Sequence, residues 1–143
     1  MIDGGKAVKW FDDRSVVADD VIELAKQYSE KGADELIVFD LSNSDEEHDE
    51  SIDLIRKISR VISIPMIAGG NIRRTEDVKK LLYAGAKRAV LNFSTRLSPD
   101  LIATLSKRFG TERLDAPSNY FYDLVQPQHL IAEYVPTALY LQR

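Results

Sequence analysis

The 143-residue chain contains no cysteine, which excludes a disulfide framework and any thiolate metal centre. It has no excess of basic residues. Nineteen Lys and Arg stand against 23 Asp and Glu, for a net charge of −4, whereas a nucleic-acid binder needs a basic face. No apolar run approaches the roughly 20 residues of a membrane span, and the first residues do not read as a signal peptide. Histidine is scarce, with two in the whole chain, so a Ser-His or multi-His constellation has little to draw on. No serine near a histidine sits in a recognisable nucleophile elbow. The expectation is an acidic cytoplasmic protein with no cofactor, no metal, no nucleic-acid partner and no membrane partner.

Hydrophobic residues make up 44% and charged residues 29% of the chain, an ordinary globular balance. The length suits one domain with its own core, well short of the roughly 250 residues of a complete (β/α)₈ barrel. Strand-like and helix-like periods alternate. Lys6 to Phe11 is a short apolar run of strand type. Val21, Leu24, Ala25 and Tyr28 recur at helical spacing, with Gly32 as a stop. Leu36 to Leu41 is a continuous apolar run broken only by Asp40, as in a strand buried on both faces. Ile52, Ile55, Ile58 and Ile62 mark a second helix, and Ile64 to Ala68 a third strand. Thr75 is placed to cap the next helix, with Glu76 and Asp77 at its positive end, Val78, Leu81 and Leu82 facing inward and Gly85 ending it. Lys87 to Asn92 reads as a fourth strand. Ser98, Pro99 and Asp100 supply cap, first-position proline and first-turn acid for a fourth helix that stops at Gly110. Four βα units in succession imply a parallel sheet.

An internal repeat supports this. Gly32-Ala33-Asp34-Glu35-Leu36-Ile37-Val38-Phe39-Asp40-Leu41 aligns with Gly85-Ala86-Lys87-Arg88-Ala89-Val90-Leu91-Asn92-Phe93-Ser94 at an offset of 53 residues. That is about two βα units, the periodicity of a barrel built from duplicated quarters.

Candidate binding residues gather where strands hand over to helices, because backbone N–H groups and helix N-termini point at whatever sits there. Gly69, Gly70 and Asn71 follow the third strand and Asn92, Phe93 and Ser94 the fourth. An anion such as a phosphate suits that position; a plain tight turn is the competing reading of Gly69-Gly70. Arg73 and Arg74 either add charge to such a site or are solvated helix-start residues. Residues 45–50, with His48 among acids, contain metal-ligating types, but at a helix start such a run is more often a solvated face. His129 stands alone beside Pro127 and reads as a surface or interface residue. Trp10 reads as core or interface.

Taken together, Asp3-Gly4-Gly5-Lys6-Ala7-Val8-Lys9, residues 28–36, Phe39-Asp40-Leu41, residues 64–72 and residues 85–94 resemble the N-terminal half of the histidine-biosynthesis barrels. These are the cyclase subunit of imidazole glycerol phosphate synthase and the phosphoribosylformimino-AICAR ribotide isomerase. The resemblance covers roughly residues 3–110. It implies an α/β fold, a half TIM-type (β/α) barrel of four βα units over residues 1–110; beyond Gly110 the similarity fades, and residues 111–143 read as a divergent, βαβ-like tail packing on the same domain. It implies that Gly69, Gly70, Asn71, Asn92, Phe93 and Ser94 hold a phosphate of a phosphorylated ribosyl small molecule, and that Asp40 matches an acid facing the active-site mouth.

The family's general acid/base Asp ends strand one, and the position aligned with it falls at about Met1 here. The partner carboxylate belongs to the other half-barrel. Acid/base work needs two carboxyl groups with separated pKa values, and Asp40 alone is placed for it. Similar half-barrels precede the phosphoribosyl-AMP cyclohydrolase and phosphoribosyl-ATP pyrophosphatase domains of some bacterial proteins. The expectation is a non-catalytic phosphosugar-binding or assembly module, joined to fused catalytic domains or to a second copy through its uncovered sheet edges and apolar inner face. The alternative is half of an active cyclase or isomerase, completed by a second copy or a missing segment. A signalling domain of response-regulator type lacks its strand-one acids and later lysine.

Overall fold

A computed structural model describes residues 1–91, 99–110 and 113–115. A parallel sheet forms the wall of the molecule. β4 (Leu36–Phe39), β5 (Met66–Gly69), β6 (Arg88–Val90) and β7 (Leu114–Asp115) lie side by side in chain order. The register pairs Leu36 with Met66, Phe39 with Gly69, Gly69 with Val90, and Val90 with Asp115. Neighbours in sequence are neighbours in space, with no switch point where the order reverses. That is the arrangement of a barrel wall rather than of a doubly wound sheet, and the chain is an α/β partial TIM-type barrel.

The helices α1 (Val21–Glu30), α2 (Asp45–Val61), α3 (Thr75–Tyr83) and α4 (Pro99–Phe109) alternate with these strands. Strand alternation sends Leu36, Val38, Met66, Ala68 and Ala89 to one face, where they share a core with Ile55, Ile58, Val78 and Leu81 of the helices. Ile37, Phe39 and Val90 take the opposite, inner face. There the Phe39 ring lies 5.5 Å from Phe11, which meets Trp10 edge-on at 5.7 Å. The repeat also appears in space: Glu35 and Arg88, equivalent positions 53 residues apart, form an ion pair at 2.9 Å between the bases of β4 and β6.

The N-terminal stretch departs from the sequence reading. The strand expected from Lys6 to Phe11 is β2 (Lys6–Val8), the middle member of an antiparallel sheet with β1 (Ile2–Asp3) and β3 (Val16–Ala18). Gly4 and Gly5, at φ of 52° and 76°, close the tight β1–β2 turn; two adjacent positive φ values match strand twist and fold the chain back on itself. The link to the parallel wall is instead Ile2, which bridges Asp40 in parallel and accepts the Leu41 N–H at 2.9 Å.

Two helix starts also differ. α2 begins at Asp45, seven residues before the first isoleucine of its stripe, because Ser44 Oγ accepts the Glu47 N–H at 3.2 Å. α3 is capped by Asp77 rather than Thr75: its Oδ2 reaches back to the N–H groups of Arg73 and Arg74, each at 2.9 Å.

Candidate functional site

The C-terminal ends of β4 and β5 meet at Asp40, the residue after β4. Asp40 is 1% exposed. Its N–H donates to Gly69 O at 2.9 Å, which continues the β4–β5 ladder by one residue. Its carboxylate gathers the loops around it. Oδ1 accepts the Ser42 N–H and Oδ2 the Ser42 hydroxyl, both at 3.0 Å. His48 Nδ1 lies 2.5 Å from Oδ2 and Asn71 Nδ2 3.3 Å from the same atom. Burial pushes the Asp40 carboxyl up. Hydrogen bonds from His48, the Ser42 N–H, Ser51 and the Ser42 hydroxyl outweigh that and hold it below the ordinary carboxylate range.

Asn71 locks the β5 turn onto the β4 loop. Its amide donates to Ser42 O and lies against Ser42 Oγ, both at 2.7 Å. It has a φ of 53°, a left-handed conformation that asparagine tolerates better than other side chains.

The two glycines before it admit neighbouring protein. A Cβ on Gly70 would stand 2.1 Å from Asp40 O, and the φ of Gly70 is 92°. A Cβ on Gly69 would stand 2.9 Å from the Cβ of Val90. Neither position accepts a larger residue without moving β4 or β6.

Of the residues singled out from sequence, Asp40, Gly69, Gly70 and Asn71 come together at one point. Asn92, Phe93 and Ser94 lie outside the described residues; Leu91, just before them, is buried. Arg73 and Arg74 sit at the α3 start, with Arg74 Nη2 3.6 Å from Asp77 Oδ1. The acidic run splits in two. Asp45, Glu46, Asp49 and Glu50 are exposed, whereas His48 is turned inward and is 5% exposed.

That inward turn corrects the reading of residues 45–50 as a uniformly solvated face. The signal for it was present: His48, Ile52 and Ile55 fall at i, i+4 and i+7, the buried stripe of α2. Ser42 and Asp77 were also missed as members of the network. Among the described residues, no three His, Cys, Asp or Glu side chains converge as a metal cluster, and no helix is long and apolar enough to cross a membrane. His129 and Pro127 lie outside the described residues.

The arrangement is therefore a set of loops tied together by a buried anion. Both Asp40 oxygens have protein partners, so its chemistry is to orient Ser42, His48 and Asn71.

Comparison with known proteins places the chain among relatives. Residues 2–116 match the model of a family described as histidine biosynthesis protein. The chain is similar to the imidazole glycerol phosphate synthase subunit HisF of Endomicrobium trichonymphae, at 42% identity over 66% of the chain and 36% of the relative. The same subunit of Oceanobacillus iheyensis is 38% identical over 78% of the chain and 44% of the relative. That of Corynebacterium glutamicum strain R is 39% identical over 78% and 43%. The matched part thus spans less than half the length of these relatives.

Proposed function

The chain belongs to the histidine biosynthesis protein family, and from that premise we propose that it binds a phosphorylated ribosyl compound without turning it over, as a module of a larger histidine-pathway assembly. The observation that carries the non-catalytic part is the state of Asp40. It is the carboxylate at the end of β4, it is 1% exposed, and both its oxygens are engaged. A general acid or base must reach the proton it moves, and this one is turned into the protein.

The binding part rests on position. Gly69 pairs with Val90, so the turn Gly69-Gly70-Asn71 lies beside the end of β6, and Asn92, Phe93 and Ser94 follow β6 in the sequence. Backbone N–H groups of Gly69, Gly70 and Asn71 and of Asn92, Phe93 and Ser94, with the charge of Arg73 and Arg74, form the phosphate cradle of this reading. Fused catalytic domains, or a second copy, supply the chemistry in the cytoplasm.

The second reading makes the chain half of an active cyclase or isomerase, completed by a second copy or a further segment. The half-buried Ile37 and Phe39 on the inner face, and the exposed Val16 and Val17 on the small sheet, favour association of that kind.

Calorimetry with a phosphoribosyl intermediate, followed by mass spectrometry of the same mixture, separates the readings. Saturable binding with the ligand recovered intact is expected. Product formation by the chain alone overturns the non-catalytic reading, and absence of binding overturns the phosphosugar one.

A further inference from the structure

Two buried polar atoms face each other with no hydrogen-bond partner: His48 Nε2 and Asp77 Oδ1, 3.9 Å apart. Their residues are 5% and 2% exposed. Each atom is aimed by what holds the rest of its side chain. His48 Nδ1 meets Asp40 Oδ2 at 2.5 Å, on a carboxyl held below the ordinary carboxylate range. An ionised carboxylate only accepts, so Nδ1 carries a proton. Asp77 Oδ2 accepts the N–H groups of Arg73 and Arg74 at the positive end of α3. That setting suits a carboxylate and leaves Oδ1 toward His48. A neutral ring would present the lone pair of Nε2 to a lone pair of Oδ1, and two acceptors converging in a buried site repel. A second proton on the ring turns that repulsion into attraction.

We propose that His48 is an imidazolium bridging Asp40 and Asp77, a pH-sensitive latch that ties the start of α3 to the end of β4 and is released when Nε2 loses its proton. Histidine is the side chain whose charge ordinarily changes between pH 5 and 8. At 3.9 Å the contact of Nε2 with Oδ1 is longer than a hydrogen bond, so it acts through charge. The other charged groups around the ring come from two helices. On α2, Asp45 and Asp49 lie on the exposed side, and Asp49 is engaged by Lys80 at 2.6 Å. At the start of α3 stand Arg73 and Arg74, which border the same small cleft. Arg74 Nη2 is 3.6 Å from Asp77 Oδ1 and its side chain is exposed, so it competes with the ring for that oxygen from the solvent side, where its charge is screened. The β5 turn adds Asn71, which carries no charge and donates to Ser42 O. The latch is a property of the chain without ligand, so it stands or falls apart from the phosphate reading.

The test is a pH series of nitrogen-15 NMR spectra of the His48 ring in the whole 143-residue chain, with the backbone amides of Arg73, Arg74 and Asp77 followed alongside. At about pH 6, below the ordinary histidine value of ~6.5, both ring nitrogens carry protons. As the pH rises Nε2 loses its proton, Nδ1 keeps its own, and the three amides shift together with the ring. Asp77→Asn places an amide donor opposite Nε2, so the ring loses its proton at a lower pH. Arg74→Gln removes the competitor for Oδ1, so the ring keeps its proton to a higher pH. A neutral ring at pH 6, a proton lost from Nδ1 instead of Nε2, or amides that do not follow the ring overturns the proposal. If Asp77→Asn does not fold, the series on the unsubstituted chain decides by those same three readouts.

Discussion

Asp40 Oδ2 and His48 Nδ1 meet at 2.5 Å, joining the end of β4 to the first turn of α2 inside a region neither side chain leaves. The contact makes the β4–α2 loop a closed unit. Breaking a buried pair by removing one partner leaves an uncompensated group and typically costs ~3–5 kcal/mol. His48→Leu is expected to destabilise the chain by about that amount in urea unfolding. A change within about 0.5 kcal/mol would mean the pair is not formed in solution.

Acid sensitivity follows from the same carboxylate. The folded-state pKa of Asp40 lies below its ordinary value, so folding favours the ionised form. Its contribution is complete above the unfolded-state pKa near 3.8 and is lost as pH falls through the lower folded value. Asp40→Asn is expected to be less stable at neutral pH and to lose less of its remaining stability between pH 5 and pH 2. Parallel acid limbs for the two proteins, measured by chemical unfolding at each pH, would contradict this.

Gly70→Ala tests the packing of the β5 turn. The added Cβ meets Asp40 O at 2.1 Å and the backbone is held at a φ of 92°, so clash and strain add to about 3–5 kcal/mol. Gly4→Ala has nothing within 4 Å, although its φ of 52° is also positive. It should lose only the left-handed penalty of roughly 1–2 kcal/mol. Similar losses in the two variants would mean that Asp40 does not press on Gly70.

Asn71 separates conformation from hydrogen bonding. Asn71→Gly keeps the left-handed turn and removes the bonds to Ser42, while Asn71→Ala removes the bonds and strains the turn. The alanine variant should be less stable than the glycine variant by about 1 kcal/mol. Equal stabilities would show that the positive φ is not required.

Much of this architecture is legible in the residues because local signals agree with the global fold. Gly32-Ala33 and Gly85-Ala86 precede β4 and β6, and apolar runs without alternation mark strands covered on both faces. Where the reading failed, two signals competed. Lys6 to Phe11 has strand composition, but Gly4-Gly5 turned it into a hairpin arm. The acids around His48 described a solvated helix start, while the spacing of His48 to Ile52 and Ile55 described a buried one, and the spacing decided its place. Thr75 has the better capping hydroxyl by type, yet Asp77 reaches two N–H groups at once. The network at Asp40 joins residues 40, 42, 48 and 71 across two loops, and pairings at that separation leave no periodic trace in sequence.

The most direct test of the central claim is an amide-resolved NMR titration of the chain, first with inorganic phosphate and then with a phosphoribosyl intermediate of histidine synthesis. The account predicts saturable shifts confined to Gly69, Gly70, Asn71 and Asn92, Phe93 and Ser94, with the ligand signals unchanged over time. No shifts at millimolar ligand, or shifts scattered over exposed lysines and arginines instead of these six residues, would contradict it.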